Sequence, residues 1–122
     1  MFGTNLEKVC QKIDALMDEL AIIDKRISYH EEQFELAVRL GIAKPGDDEF
    51  IQLWRRVHSQ FTENLPKAKS AIQSGEEDFK QINRILPMTN RQIREIRADI
   101  AAADRAQELG KKRARERFGG SR

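Results

Sequence analysis

The feature that most constrains this chain is an apolar alternation of three and four residues that runs unbroken from Leu6 to Gly41. This is the spacing of a helix whose a and d positions lie along another helix. A second run with the same spacing extends from Ile51 to Leu86, and the two runs mirror each other about Lys44. The sequence therefore predicts an all-α protein built on a long antiparallel coiled-coil helical hairpin.

The predicted hairpin occupies residues 1–88. Its two helices are expected at about 5–40 and 47–86, and a turn at 41–47 joins them. Gly41 is suited to end the first helix, because glycine adopts the left-handed conformation that follows many helix C-termini.

Pro66 lies inside the predicted second helix, where its ring removes a backbone hydrogen bond. The helix either kinks at 62–66 or breaks there. The segment from Ser74 to Glu77 also has the spacing of a capping box. Because the apolar spacing keeps its phase across both sites, a kinked but continuous helix is expected.

Residues 89–122 are predicted to form a third helix with a basic, partly disordered tail. Pro87 is expected to end the second helix, and Thr89 with Gln92 has the spacing of a capping box for the third. From Gly110 onward the segment is highly charged and is expected to fray. Because a seam of two helices is marginal alone, we expect the third helix to pack on the hairpin base, or the hairpin to associate with another copy or a partner.

Composition limits the location and the class of the protein. Residues 1–87 carry 12 Lys and Arg against 15 Asp and Glu, whereas residues 88–122 carry 10 against 5, so the C-terminal end is basic. No apolar run is long enough to span a bilayer, the first residues lack a signal-peptide pattern, and one cysteine cannot form an internal disulfide. These features predict a cytoplasmic protein without membrane insertion.

The sequence favours a non-enzymatic protein with no cofactor and no small-molecule substrate. Its carboxylates fall on predicted outer helix faces beside lysines and arginines, and it has no glycine-rich phosphate loop. Cys10 and His30 are twenty residues apart, about 30 Å along one helix, which excludes a cysteine–histidine dyad in one molecule.

His30 and His58 are predicted to face each other in one layer of the hairpin. Three interpretations compete: a polar layer that sets the helix register, a pH-sensitive pair that repels when protonated, and a metal site. A metal site would need further ligands, and no metal-type spacing supplies them, so no metal is expected. A register-setting layer is favoured.

Two surfaces remain as candidates for function. The first is an apolar patch near the hairpin tip, which either binds a partner or is scattered surface apolar area; it comprises Leu36, Leu40, Phe50, Leu53 and Val57. The second is a basic C-terminal surface for nucleic acid, which either contacts phosphates or is a solvated tail; it comprises Arg91, Arg94, Arg97, Arg105, Lys111, Lys112, Arg113, Arg115 and Arg117.

The preferred hypothesis is a non-enzymatic protein–protein interaction module, an adaptor, assembly or chaperone-like subunit that binds another protein or a second copy of itself. The alternative is an accessory nucleic-acid-binding protein that uses the basic C-terminal helix and tail.

Overall fold

A computed structural model describes the backbone of residues 3–119 and the side chains of residues 5–117. It contains three α-helices, α1 (Gly3–Arg39), α2 (Glu49–Gln73) and α3 (Phe79–Gly119), and no strand within the described residues. The predicted all-α class is confirmed. The last residues of the predicted tail, 120–122, lie outside the described part.

Ion pairs between the helices establish their directions. Lys69 of α2 pairs with Asp14 of α1 at 2.8 Å, and Arg55 pairs with Glu31 at 2.8 Å, so α2 runs back along α1. On the other flank, Lys12 of α1 donates to Asn83 of α3 at 2.8 Å.

Further along α3, Arg97 pairs with Glu19 and Asp104 pairs with Arg26. Because the residue numbers of the paired side chains increase together along α1 and α3, the two helices run in the same direction. The result is an up–down–up bundle in which α1 is the central element.

The core follows the apolar seam of α1. Ile13 and Ile27 are fully buried, and the other buried members on this helix are Val9, Cys10, Leu16, Leu20 and Ile23. The α2 side of the core comprises Trp54, Leu65 and Ile72, and the α3 side comprises Leu86, Ile93, Ile96 and Ile100. Each buried large aliphatic side chain contributes about 1.5–3 kcal/mol of transfer free energy. The apolar stripe of α1 is thus covered by both α2 and α3, whereas the sequence predicts that α2 alone covers it.

The C-terminus of α1 is closed by a Schellman motif at Gly41. Its φ of +74° is left-handed, the Gly41 N–H donates to the Val38 carbonyl, and the Ile42 N–H donates to the Ala37 carbonyl. These bonds satisfy carbonyls that the helix end would otherwise leave without donors.

The second helix is shorter than the predicted 47–86, because α2 ends at Gln73. Gly75 has a φ of +80°, and its N–H donates to the Ile72 carbonyl, which is a left-handed helix termination. Asp78 then caps α3, its side chain accepting from the Lys80 N–H at 2.9 Å. The predicted seam positions Phe79, Ile82 and Leu86 therefore open α3. The three-and-four spacing of apolar residues continues across this break because the buried face of α3 has the same spacing.

Neither internal proline breaks a helix. Both α2 at Pro66 and α3 at Pro87 stay helical, although the sequence places the end of a helix at Pro87. Thr89, predicted to cap a new helix, instead donates its hydroxyl to the Ile85 carbonyl one turn earlier and is buried.

The helix pairing differs from the mirror about Lys44 by about one turn. The sequence pairs Trp54 with Phe34 and His58 with His30. The structure instead places the Trp54 ring 5.5 Å from the His30 ring and His58 Nε2 2.8 Å from the Leu20 carbonyl. The nine-residue connection at 40–48 is long enough to permit this shift.

The segment after Gly110 is helical to Gly119, where the sequence predicts fraying. Gly110 costs a helix about 1 kcal/mol relative to alanine, but lysine, arginine, alanine and glutamate around it are good helix formers. Lys111 and Glu108 also form an i, i+3 pair at 3.8 Å.

Two glycine-to-alanine substitutions test these helix boundaries with opposite signs. Gly75→Ala forces a Cβ into the left-handed region and should lower the free energy of unfolding by about 1–2 kcal/mol. Gly110→Ala adds a Cβ to a helix at a position where it meets nothing within 4 Å. It should therefore raise the free energy of unfolding by roughly 0.5–1 kcal/mol.

Urea unfolding followed by far-ultraviolet circular dichroism measures both changes. A Gly75→Ala variant as stable as the parent chain would contradict the break at this position and favour one helix through residues 47–86.

Candidate interaction surface

The three-helix core ends at a polar contact on His30. This buried side chain comes from α1, and its Nε2 lies 2.8 Å from Asp104 Oδ1 of α3. Asp104 Oδ2 also accepts from the Arg26 guanidinium. A single α3 carboxylate thus receives two donors from α1. Asp104 is the last α3 residue with a hydrogen bond or ion pair to another helix among the described side chains.

Burial and the neighbouring positive charge of Arg26 hold the pKa of His30 below its ordinary value of 6.5. The Asp104 carboxylate opposes this shift, but its charge is already shared with Arg26. His30 is therefore neutral at pH 7 and donates its Nε2–H to Asp104, which assigns the tautomer.

His58 lies elsewhere in the core. It is buried, and its Nε2–H donates to the Leu20 carbonyl, whereas His30 meets Trp54 one turn away along α2. The facing histidine pair predicted for one layer is thus replaced by two separate contacts. Each imidazole fixes a different helix pair: His58 joins α2 to α1, and His30 joins α3 to α1.

Arg55 joins α2 to α1 at the level of this polar contact. Its guanidinium donates to Asp24 at 2.5 Å, Glu31 at 2.8 Å and Ser28 at 3.0 Å. The hydrogen bonds that Arg55 donates to Glu31 and Asp24 raise the pKa of Arg55, and the bond donated to Asp24 lowers the pKa of that carboxyl. This fork ties α2 to three side chains of α1 through charge-assisted hydrogen bonds.

Beyond His30, large apolar side chains of α1, α2 and their connection are open to solvent. Their exposed fractions are 44% for Leu36, 64% for Leu40, 78% for Ile42, 75% for Phe50 and 47% for Leu53. These five residues are called the tip patch below. Exposed apolar side chains concentrated at one end of a small protein are a typical feature of an interaction surface.

The tip patch differs from the predicted one at two positions. Val57 is half-buried and packs against the core, so it is not part of the open surface. Ile42, the most exposed of the five, is not among the predicted residues. It directly follows Gly41, at the position of the Schellman motif whose N–H bonds back to Ala37, and its side chain is open to solvent. The sequence did contain a signal for this exposure: Ile42 is a large apolar residue in the predicted turn, outside both apolar runs.

The tip patch is open because α3 stops supplying apolar side chains. The α3 positions that continue the spacing of Ile93, Ile96 and Ile100 are occupied by Ala103, Gln107, Gly110 and Ala114. Gln107 and Glu108 still line a shallow cleft with Tyr29 of α1. From Glu108 to Arg117, every residue of α3 is exposed. No part of this segment covers the tip patch.

The basic residues predicted as a nucleic-acid surface do not form one cluster. Arg91, Arg94 and Arg105 are exposed along α3, and Arg97 is paired with Glu19. The remaining five share the exposed end of the helix and are called the basic end below: Lys111, Lys112, Arg113, Arg115 and Arg117. Since α3 runs parallel to α1, the basic end and the tip patch lie at the same end of the bundle.

Residues 3–119 contain no group of three His, Cys, Asp or Glu side chains placed to hold a metal ion. No helix in this part of the chain has the length and apolar character needed to cross a membrane.

Comparisons with protein-family models, with curated proteins and with solved structures find no match to this chain.

The burial of His30 beside Arg26 predicts that the bundle loses stability in mild acid. Because the pKa of His30 is lower in the folded chain than in the unfolded one, the unfolded chain binds more protons near pH 6. The free energy of unfolding should fall as pH drops below about 6.5 and continue to fall through the lowered pKa. His30→Gln keeps an amide donor for Asp104 but does not titrate, so its pH dependence should be weaker.

Thermal melts at constant ionic strength between pH 7.5 and 5.5 measure the two slopes. A parent chain that becomes more stable in this range would show that Asp104 holds His30 as an imidazolium and contradict the stated direction.

Proposed function

We propose that this chain is a non-enzymatic protein–protein interaction module that binds a partner through its tip patch. The observation that carries the proposal is that five exposed large apolar side chains lie together at the end of the bundle where α1 is joined to α2. Exposing such residues is unfavourable in water unless a partner covers them for part of the time. An adaptor, assembly or chaperone-like subunit would use the surface in this way.

The rigid framework for this role is the antiparallel coiled-coil hairpin of α1 and α2. It is supported by the heptad spacing of both helices and by the Arg55 fork, which joins them next to the tip patch. A site that is held by packed helices keeps its geometry when free, which lowers the entropy cost of binding.

We place the module in the cytoplasm. Its one thiol, that of Cys10, is buried in the core and unpaired, which suits a reducing compartment.

The alternative function is accessory nucleic-acid binding through the basic end. It is supported by the exposure of these five cationic side chains on a continuous helix. The acidic residues Asp47, Asp48 and Glu49 weigh against it, because they begin α2 at the same end of the bundle and would repel a polyphosphate.

A double substitution of the tip patch separates the two functions. Leu40→Glu with Phe50→Glu replaces exposed side chains, so the free energy of unfolding should change by less than about 0.5 kcal/mol per site. Capture of partner proteins from an extract of the source cells should fall at least tenfold. The matched control is Ile85→Glu with Met88→Glu, which alters two equally exposed apolar residues near the opposite end of α3.

The proposal requires that the control variant captures the same proteins as the parent chain, with and without nuclease. If capture disappears with nuclease and survives the tip substitutions, the nucleic-acid alternative holds instead.

A further inference from the structure

The tip patch lies beside the end of α3 and is not covered by it. Tyr29 of α1 lines a shallow cleft with Gln107 and Glu108 of α3. Leu36 and Leu40 follow Tyr29 by seven and eleven residues, so they lie on the same flank of α1, the flank along which α3 runs. Their exposed fractions of 44% and 64% are those that remain with α3 in place. A molecule that covers them must therefore approach from outside all three helices.

Charges of both signs meet at this end of the bundle, on different elements. Residues 31–56, which form the end of the hairpin, carry six Asp and Glu against four Lys and Arg. Residues 108–117 of α3 carry two against five. The hairpin end therefore has a net charge of −2 and the α3 end a net charge of +3, so the two together are nearly neutral. Such an end does not select a strongly acidic or a strongly basic partner. It matches a surface that has the same two halves.

The two halves form no ion pairs with each other within one chain. Among the described side chains, the last ion pair from α3 to another helix is that of Asp104 with α1. Beyond it, Lys111 pairs with Glu108 of its own helix. Asp47 and Glu49 are exposed beside the start of α2, and neither forms an ion pair within residues 5–117. Opposite charges are thus available on both halves for a second molecule.

Resting on the proposed function, we infer that the partner at the tip patch is a second copy of this chain, bound in a two-fold symmetric dimer. In such an interface the same surface faces itself, and every contact between unlike elements occurs twice. The two tip patches cover each other, which removes ten large apolar side chains from water, five from each copy. The symmetry axis places the basic end of each copy against the acidic start of α2 in the other.

Other occupants match fewer of these features. A nucleic acid would meet the carboxylates of Asp47 and Glu49 near the basic end, and it offers no apolar face to Leu40 and Phe50. An acidic helix would meet the same two carboxylates. The chain's own surface supplies an apolar patch together with charges of both signs, which is the combination that the tip patch requires.

Sedimentation equilibrium of the full chain, freed of nucleic acid by nuclease, measures the association. A reversible dimer with a dissociation constant of roughly 1–50 μM is expected, because each copy contributes a single patch of five side chains. The tip variant Leu40→Glu with Phe50→Glu should dimerise at least about a hundredfold more weakly, since it places carboxylates in the apolar contact. The matched control, Ile85→Glu with Met88→Glu, should dimerise as the parent chain does.

Two charge-reversed variants test the pairing between copies. Asp47→Lys with Glu49→Lys changes the net charge of the hairpin end from −2 to +2, and Lys112→Glu with Arg113→Glu changes that of the α3 end from +3 to −1. Each variant alone should dimerise about tenfold more weakly than the parent chain, because like charges then face each other at both contacts.

An equimolar mixture of these two variants should restore the association. Each altered half then meets a half of opposite sign, so the mixed dimer should form about tenfold more tightly than either variant with itself. A fluorescent label on one variant lets sedimentation detect the mixed species, and its advantage should shrink as salt is added. A control that reverses two exposed charges elsewhere on α3, Arg84→Glu with Arg91→Glu, should dimerise as the parent chain does.

Four outcomes would overturn the inference. The first is a parent chain that stays monomeric at about 200 μM. The second is a dimer that the tip variant leaves intact, and the third is a dimer present only before nuclease treatment, which would assign the association to bridging nucleic acid. The fourth is a mixture that associates no better than its components, which would reject charge pairing between copies. If the chain is monomeric but still captures other proteins through the tip patch, the interaction module stands and only the second copy is rejected.

Discussion

The whole structure depends on burying a single apolar stripe of α1 against two other helices. A narrow seam between two helices buries little apolar surface. Its transfer free energy barely offsets the conformational entropy that the chain loses on folding. Here Ile13, Leu20 and Ile27 are covered from one side by α2 and from the other by α3, so each becomes almost fully buried. This shared use explains why α1 is the central element and why both neighbours form their polar contacts with it.

The sequence predicted the seam of α1 well because a spacing of three and four residues is a local property of a helix. It predicted the course of the chain after Gln73 less well, for a definite reason. Gly75 and Asp78 supply a helix end and a helix start, yet the apolar pattern keeps its phase through them. Periodicity reports which face is buried, not whether the chain reverses. The backbone at Gly75, with its positive φ, decides that question.

The candidate surface was predictable where exposure follows from position on a helix. Leu36, Leu40 and Leu53 lie off the seam, so their exposure can be inferred from helical geometry alone. The His30–Asp104 contact could not be inferred in this way, because it joins residues 74 positions apart through a helix whose register was unknown. The predicted pairing of His30 with His58 failed for the same reason: two polar residues at seam positions match each other only if the register is exact to a turn.

The tip patch and the basic end have one cause in the sequence of α3. After Ile100 its inward positions lose their large apolar side chains, so the helix gains nothing by staying against α1. Asp104 holds it there once more, through Arg26 and His30, and from Glu108 to Arg117 every residue of the helix is exposed. The same change leaves the seam of α1 and α2 uncovered and presents the basic residues to solvent at the same level. The exposed tip patch and the exposed basic end are therefore coupled consequences of where the third helix stops packing.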